Sequence, residues 1–85
     1  MLLIVGLSVD AGAFPVEALK QVDATLVTVG FRKEVSSAVK PGKEYSITYD
    51  GPDAQKDKIE GLLKPLADQH HLQLSIDTEE SVRFP

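Results

Sequence analysis

The sequence predicts an α+β, ferredoxin-like domain of βαββαβ order: a four-stranded antiparallel sheet with two helices on one face. Three observations carry that prediction. Period-two alternation of apolar residues marks strands at Leu2–Val9, Thr25–Val35, Lys43–Asp50 and Leu72–Asp77. A short helix signal sits at Pro15–Val22, and a long amphipathic stretch runs over Pro52–His70. Proteins of this architecture serve as enzymes, sensors, RNA binders or interaction modules, so function has to be argued from individual residues.

In Leu2–Val9 the odd positions Leu3, Val5, Leu7 and Val9 are apolar, and the even ones are Leu2, Ile4, Gly6 and Ser8. A strand partly apolar on its second face is expected at the centre of a sheet or under cover. Pro15 suits the first position of a helix, where its missing N–H costs nothing, and Glu17 and Lys20 match the helix dipole. From Thr25 onward, Val27, Val29, Phe31 and Val35 alternate with Leu26, Thr28, Gly30, Arg32 and Glu34. Ser36–Gly42 reads as a connection closed by the Pro41-Gly42 turn. In the next strand Tyr45, Ile47 and Tyr49 face one way, and Glu44, Ser46, Thr48 and Asp50 the other.

Asp50-Gly51-Pro52-Asp53 signals a helix start, and Ile59, Leu62, Leu63, Leu66 and His70 recur on one helical face. Pro65 removes the hydrogen bond to the Gly61 carbonyl and is expected to kink or split that helix. The last strand buries Leu72, Leu74 and Ile76 and exposes Gln73, Ser75 and Asp77. Residues 1–79 then form one domain, and residues 80–85 a flexible C-terminal tail.

The chain has 85 residues, and a chain of that length buries roughly 60–65 % of its unfolded surface, enough for one modest core. An apolar share of 42 % argues against intrinsic disorder. There is no cysteine, hence no disulfide and no thiolate ligand or nucleophile, which fits a cytoplasmic location without excluding export. Leu2–Leu7 followed by Ala11-Gly12-Ala13 superficially offers a signal segment and cleavage site. No basic residue precedes it and Asp10 interrupts it, so it reads as a strand. No run approaches the ~18 apolar residues that span a bilayer.

The net charge is −4 and unevenly spread. Arg32, Lys33, Lys40 and Lys43 face only Glu34 in their stretch, whereas Asp50 to Glu80 holds eight acids against three lysines. An acidic surface repels nucleic acid and anionic membrane at long range, so neither is expected as a partner.

Individual candidates for chemistry are weak. His70 and His71 point about 100° apart on a helix, so they do not share a metal easily, and they suit carbonyl capping at the helix end. Asp53, Asp57 and Glu60 alternate with Lys56, Lys58 and Lys64, the pattern of a solvated face. Tyr45 and Tyr49 invite comparison with the RNA recognition motif. However, Ile47 stands where a second aromatic is needed, and the first strand supplies none. Gly30-Phe31-Arg32 is similar to the opening of the phosphate loop in acylphosphatases but lies inside the second strand, the wrong context. Val9-Asp10-Ala11-Gly12 distantly resembles the D-x-P-G-like loop of metabolite-binding ACT domains, which share the element order but have a longer first helix. The Asp10–Gly12 loop joins the first strand to the first helix, where many α/β proteins hold ligands. A single glycine is far short of a phosphate cradle and Asp10 repels an anion, so the loop reads first as a plain connection. None of these families claims the chain.

No nucleophile–base pair, metal cluster or cofactor motif is visible, so neither catalysis nor a cofactor is expected. By alternation the sheet face away from the helices carries Leu2, Ile4, Leu26, Thr28, Ser46 and Thr48, together with Gly6, Ser8, Gly30, Gln73 and Ser75. Such a small-residue, nearly uncharged face is expected to be covered by another protein or a second copy, with Leu2, Ile4 and Leu26 as its apolar centre. The basic loop bearing Arg32, Lys33, Lys40 and Lys43 is a second candidate contact. The leading expectation is therefore a non-enzymatic, self-associating interaction module: an adaptor, subunit or inhibitor. The alternative is a small-ligand-binding regulatory domain with its site at the sheet edge or dimer seam. A further alternative is an acidic inhibitor of a nucleic-acid-handling enzyme.

Overall fold

A computed structural model describes residues 1–79, so the tail expected at residues 80–85 lies outside the described residues. The chain runs β1 (Leu2–Val9), α1 (Val16–Thr28), β2 (Arg32–Lys40), β3 (Glu44–Asp50), α2 (Lys56–Gln69) and β4 (Leu72–Glu79). The strands form one sheet in the order β2-β3-β1-β4, and every neighbouring pair is antiparallel. This is the predicted ferredoxin-like βαββαβ fold. No helix among the described residues is long and apolar enough to cross a membrane.

The core follows from alternation in the central strands. Leu3, Val5 and Leu7 of β1 are buried beside Ile47 and Tyr49 of β3 and Ile76 of β4. Above them lie Ala18, Val22 and Leu26 of α1 and Ile59, Leu63 and Ala67 of α2, each set spaced by four. Fully burying a Leu or Phe side chain contributes roughly 1.5–3 kcal/mol, so this layer carries most of the folding energy.

The largest correction to the sequence reading lies between Thr25 and Val35. Thr25–Thr28 ends α1 and is not strand, so β2 begins at Arg32 and extends through the stretch expected to be a loop. Two devices explain this. The hydroxyls of Thr25 and Thr28 donate to the carbonyls of Gln21 and Ala24, both at 2.8 Å, which accommodates β-branched residues in a helix. Gly30 then takes a left-handed φ of +95°; its N–H bonds the Val27 carbonyl and the Phe31 N–H bonds the Leu26 carbonyl. That pair of bonds is a Schellman stop, and Leu26 and Phe31 at its two ends are both buried in the core.

Leu26 and Thr28 therefore do not belong to the open sheet face. Leu26 is fully buried in the core at 0 % exposure, and Thr28 sits exposed on the last turn of α1. Val27 and Val29, expected in the core, are exposed, whereas Phe31 is buried as expected.

Two smaller corrections concern α2. It starts at Lys56 after an extended Gln55 and not at Pro52, and Pro65 does not split it. Pro65 and Gly61 lie on its exposed side, where the freed carbonyl meets water. Leu62, expected on the buried face, is exposed.

Candidate ligand-binding face

The pairing register places four rows of side chains on the sheet face opposite the helices. They are Leu2 with Asp50 and Glu79, Ile4 with Thr48 and Asp77, Gly6 with Ser46 and Ser75, and Ser8 with Glu44 and Gln73. The expected face residues Leu2, Ile4, Ser46 and Thr48 are thus brought together, all half-buried. The face changes character along its length, apolar and acid-rimmed at the Leu2 end and polar at the Ser8 end.

At the polar end the face is concave. A cavity of about 190 Å³ is lined by Gly6, Ser8, Glu44, Gln73, Leu74 and Ser75. Gly6 makes room for it: the Ser75 hydroxyl occupies the place a Cβ at position 6 would take, so a larger residue there would crowd the lining at the centre of the sheet. The lining offers two hydroxyls, an amide and one carboxylate, Glu44.

The β1–α1 loop closes this end. The Gln73 side-chain amide donates to Asp10 Oδ1 at 2.8 Å, and the Lys43 ammonium donates to the Gly12 carbonyl at 3.0 Å. The backbone N–H of Val9 and Phe14 bond the Lys43 and Gly42 carbonyls, and the rings of Phe14 and Tyr45 meet edge-on at 4.7 Å. The Asp10–Gly12 loop, singled out from sequence, is therefore sewn to the β2–β3 turn and joined to the cavity lining through Gln73.

The four basic residues do not form one patch. Arg32 and Lys40 stand at opposite ends of β2, about 26 Å apart along an extended strand. Arg32 is already engaged by Glu34 at 2.9 Å, whose hydrogen bond and charge raise the guanidinium pKa. Lys33 faces the other side of the strand, opposite Tyr49, and Lys43 holds the β1–α1 loop. The loop read from sequence is strand β2, and the turn shrinks to Pro41–Lys43.

His70 and His71 cap α2. His70 is its C-cap, and its Nε2 lies 2.7 Å from Gln21 Oε1 of α1, while His71 takes a left-handed φ of 56°. Among the described residues no group of three or more His, Cys, Asp or Glu side chains is placed to hold a metal. The Tyr49 hydroxyl in the core and the inner oxygen Oδ1 of the half-buried Asp23 are both shut off from water without a hydrogen-bond partner among the described residues. Burial first, and then the negative charge of Asp23, push the Tyr49 phenol well above its ordinary range.

Sequence reasoning missed Glu44 as a site residue, since it joins Ser8 only through the strand register. A glycine inside an otherwise apolar strand was the available signal for the hollow.

No protein-family model matches this chain, and no curated protein sequence does. Its fold is similar to that of part of two solved enzymes. One is a formyltetrahydrofolate deformylase from Burkholderia mallei, with a TM-score of 0.56 and 14 % identity over 89 % of this chain and 27 % of that one. The other is a formyltetrahydrofolate deformylase from Pseudomonas putida, with a TM-score of 0.56 and 8 % identity over 93 % of this chain and 29 % of that one. The chain thus spans less than a third of the length of either enzyme. At such identities the likeness establishes the fold.

Proposed function

We propose that the chain is a small-ligand-binding regulatory domain whose ligand seats in the Gly6 cavity beside the Asp10–Gly12 loop. The observation that carries this reading is the hollow itself, over Gly6 of the central strand and ringed by Ser8, Ser75, Gln73 and Glu44. At about 190 Å³ it is below the ~300 Å³ lower bound of drug-sized pockets, which suits a small polar metabolite. Glu44 favours a ligand that presents an ammonium or hydroxyl donor. Two further points support the reading. The fold recurs as a minor part of two longer enzymes, which agrees with an accessory role. The first helix has 13 residues, so the length difference that separated this sequence from ACT domains is gone.

The test is a thermal-shift screen of the full chain against amino acids, polyamines and polyols. A ligand at 100 times its dissociation constant adds about 2.7 kcal/mol of stability, a rise of several degrees in a domain this small. The rise is expected to vanish in Gly6→Val, which fills the hollow, and to weaken in Glu44→Gln. A rise that survives Gly6→Val, or a panel without effect, would overturn the proposal.

A second reading is an interaction module using the same face. Its support is the half-exposed pair Leu2 and Ile4, apolar side chains on a face otherwise made of small polar groups.

A further inference from the structure

The two edge strands of the sheet are guarded differently. On β4, Asp77 and Glu79 stand exposed while Leu72 and Ile76 are buried, so the strand is half committed to the core and half charged. On β2 all nine residues are exposed, and nothing among the described residues pairs with its outer edge. Natural edges are protected by charge, bulges or proline. On β2 these devices stand only at the ends: a bulge at Lys33/Val35, a bulge at Ala38/Lys40, and the cations Arg32, Lys33 and Lys40. Val35-Ser36-Ser37-Ala38 between them, and the bulged Val39, are uncharged, and both valines are 56 % exposed.

That window is nearly palindromic. An antiparallel pair of β2 strands related by a two-fold axis through Ser37 sets Val35 opposite Val39 of the second copy and Ser36 opposite Ala38. It also sets Glu34 opposite Lys40 of the second copy, twice by symmetry. Apolar β-branched pairs and opposite charges stabilise facing positions, and like charges destabilise them. Shifting the axis to Ser36 puts Arg32 opposite Lys40, and shifting it to Ala38 puts Val35 opposite Pro41, so the sequence selects one register. The bulged residues, Glu34 and Val39, flank the axis on either side, and the ladder to β3 is regular between them from Val35 to Ala38.

We propose that β2 is a homodimerisation edge, which pairs with β2 of a second copy about Ser37 into one continuous antiparallel sheet. With four strands from each copy the sheet has eight, within the common range. This inference is independent of the ligand reading, because the cavity lies on β1, β3 and β4.

The test uses the full chain. Sedimentation equilibrium is expected to give twice the chain mass for the wild type. Glu34→Lys or Lys40→Glu alone sets like charges opposite each other and is expected to raise the dissociation constant at least tenfold, and the double swap to restore it. Both positions are exposed, and circular dichroism verifies that each variant is folded. Because the chain has no cysteine, Ser37→Cys supplies a clean probe. Facing Cα atoms in such a pair lie about 4.5–5.5 Å apart, within disulfide range, so mild oxidation should yield covalent dimer, while Thr78→Cys on β4 should not. A wild type that stays monomeric to millimolar concentration would overturn the proposal. So would a dimer indifferent to the charge swaps, or one dissolved by Ile4→Lys, which would place the contact on the open sheet face.

Discussion

The two faces of the sheet put the same backbone to different uses. Under the helices, Leu3, Val5, Leu7, Ile47 and Tyr49 are shut off from water, and the layer is apolar except for the Tyr49 hydroxyl. On the other face, Leu2, Ile4, Gly6 and Ser8 alternate with them along the same strand yet stay half-buried among serines, threonines and carboxylates. The contrast separates stability from recognition. Changes on the helix side are felt by the whole domain, and changes on the open side only by whatever meets that face.

The sharpest way to break this contrast is to cut into the covered side. Leu26→Ala is expected to cost about 2–5 kcal/mol in urea or thermal unfolding, because it leaves a cavity beneath α1. Were Leu26 on the open face, the loss would be well under that. Next in size is the response to alkali. The folded chain holds the Tyr49 proton to higher pH than the unfolded chain does, where a tyrosine titrates near ~10. Stability is therefore unaffected by Tyr49 below about pH 10 and falls above it by up to about 1.4 kcal/mol per pH unit. Tyr49→Phe is expected to remove that fall and to leave neutral-pH stability unchanged or higher, since it deletes an unsatisfied buried hydroxyl. Chemical denaturation from pH 7 to 11 measures both. The smallest effect belongs to the open face: Ile4→Ser should cost about 1 kcal/mol or less of monomer stability, because the site stays half in water.

Three strands were legible because their alternation coincides with real burial. The odd positions of β1, Ile47 and Tyr49 of β3, and Leu72 and Ile76 of β4 all turn inward as read. Thr25–Val29 alternates just as cleanly and is helical up to Thr28, since Ala18, Val22 and Leu26 continue a spacing of four that packing enforces. A local period of two cannot outweigh a buried helical stripe, and Gly30 was visible as a stop only once read as a helix end. The open face was legible in composition, through Leu2, Ile4, Ser46 and Thr48. It was not legible in depth, because the hollow depends on Gly6 facing Ser75 and on Ser8 facing Glu44, across strands far apart in sequence.

The floor of that hollow is main chain belonging to a strand paired on both sides. A cleft between loops can slump shut or gape, but this one is anchored by the ladders that hold the sheet together. The site proposed for a ligand thus has a floor built by the sheet itself. The rim side chains Ser8, Glu44 and Ser75 stand outside the apolar layer, so exchanging them one at a time alters the lining of the hollow while the domain beneath keeps its architecture.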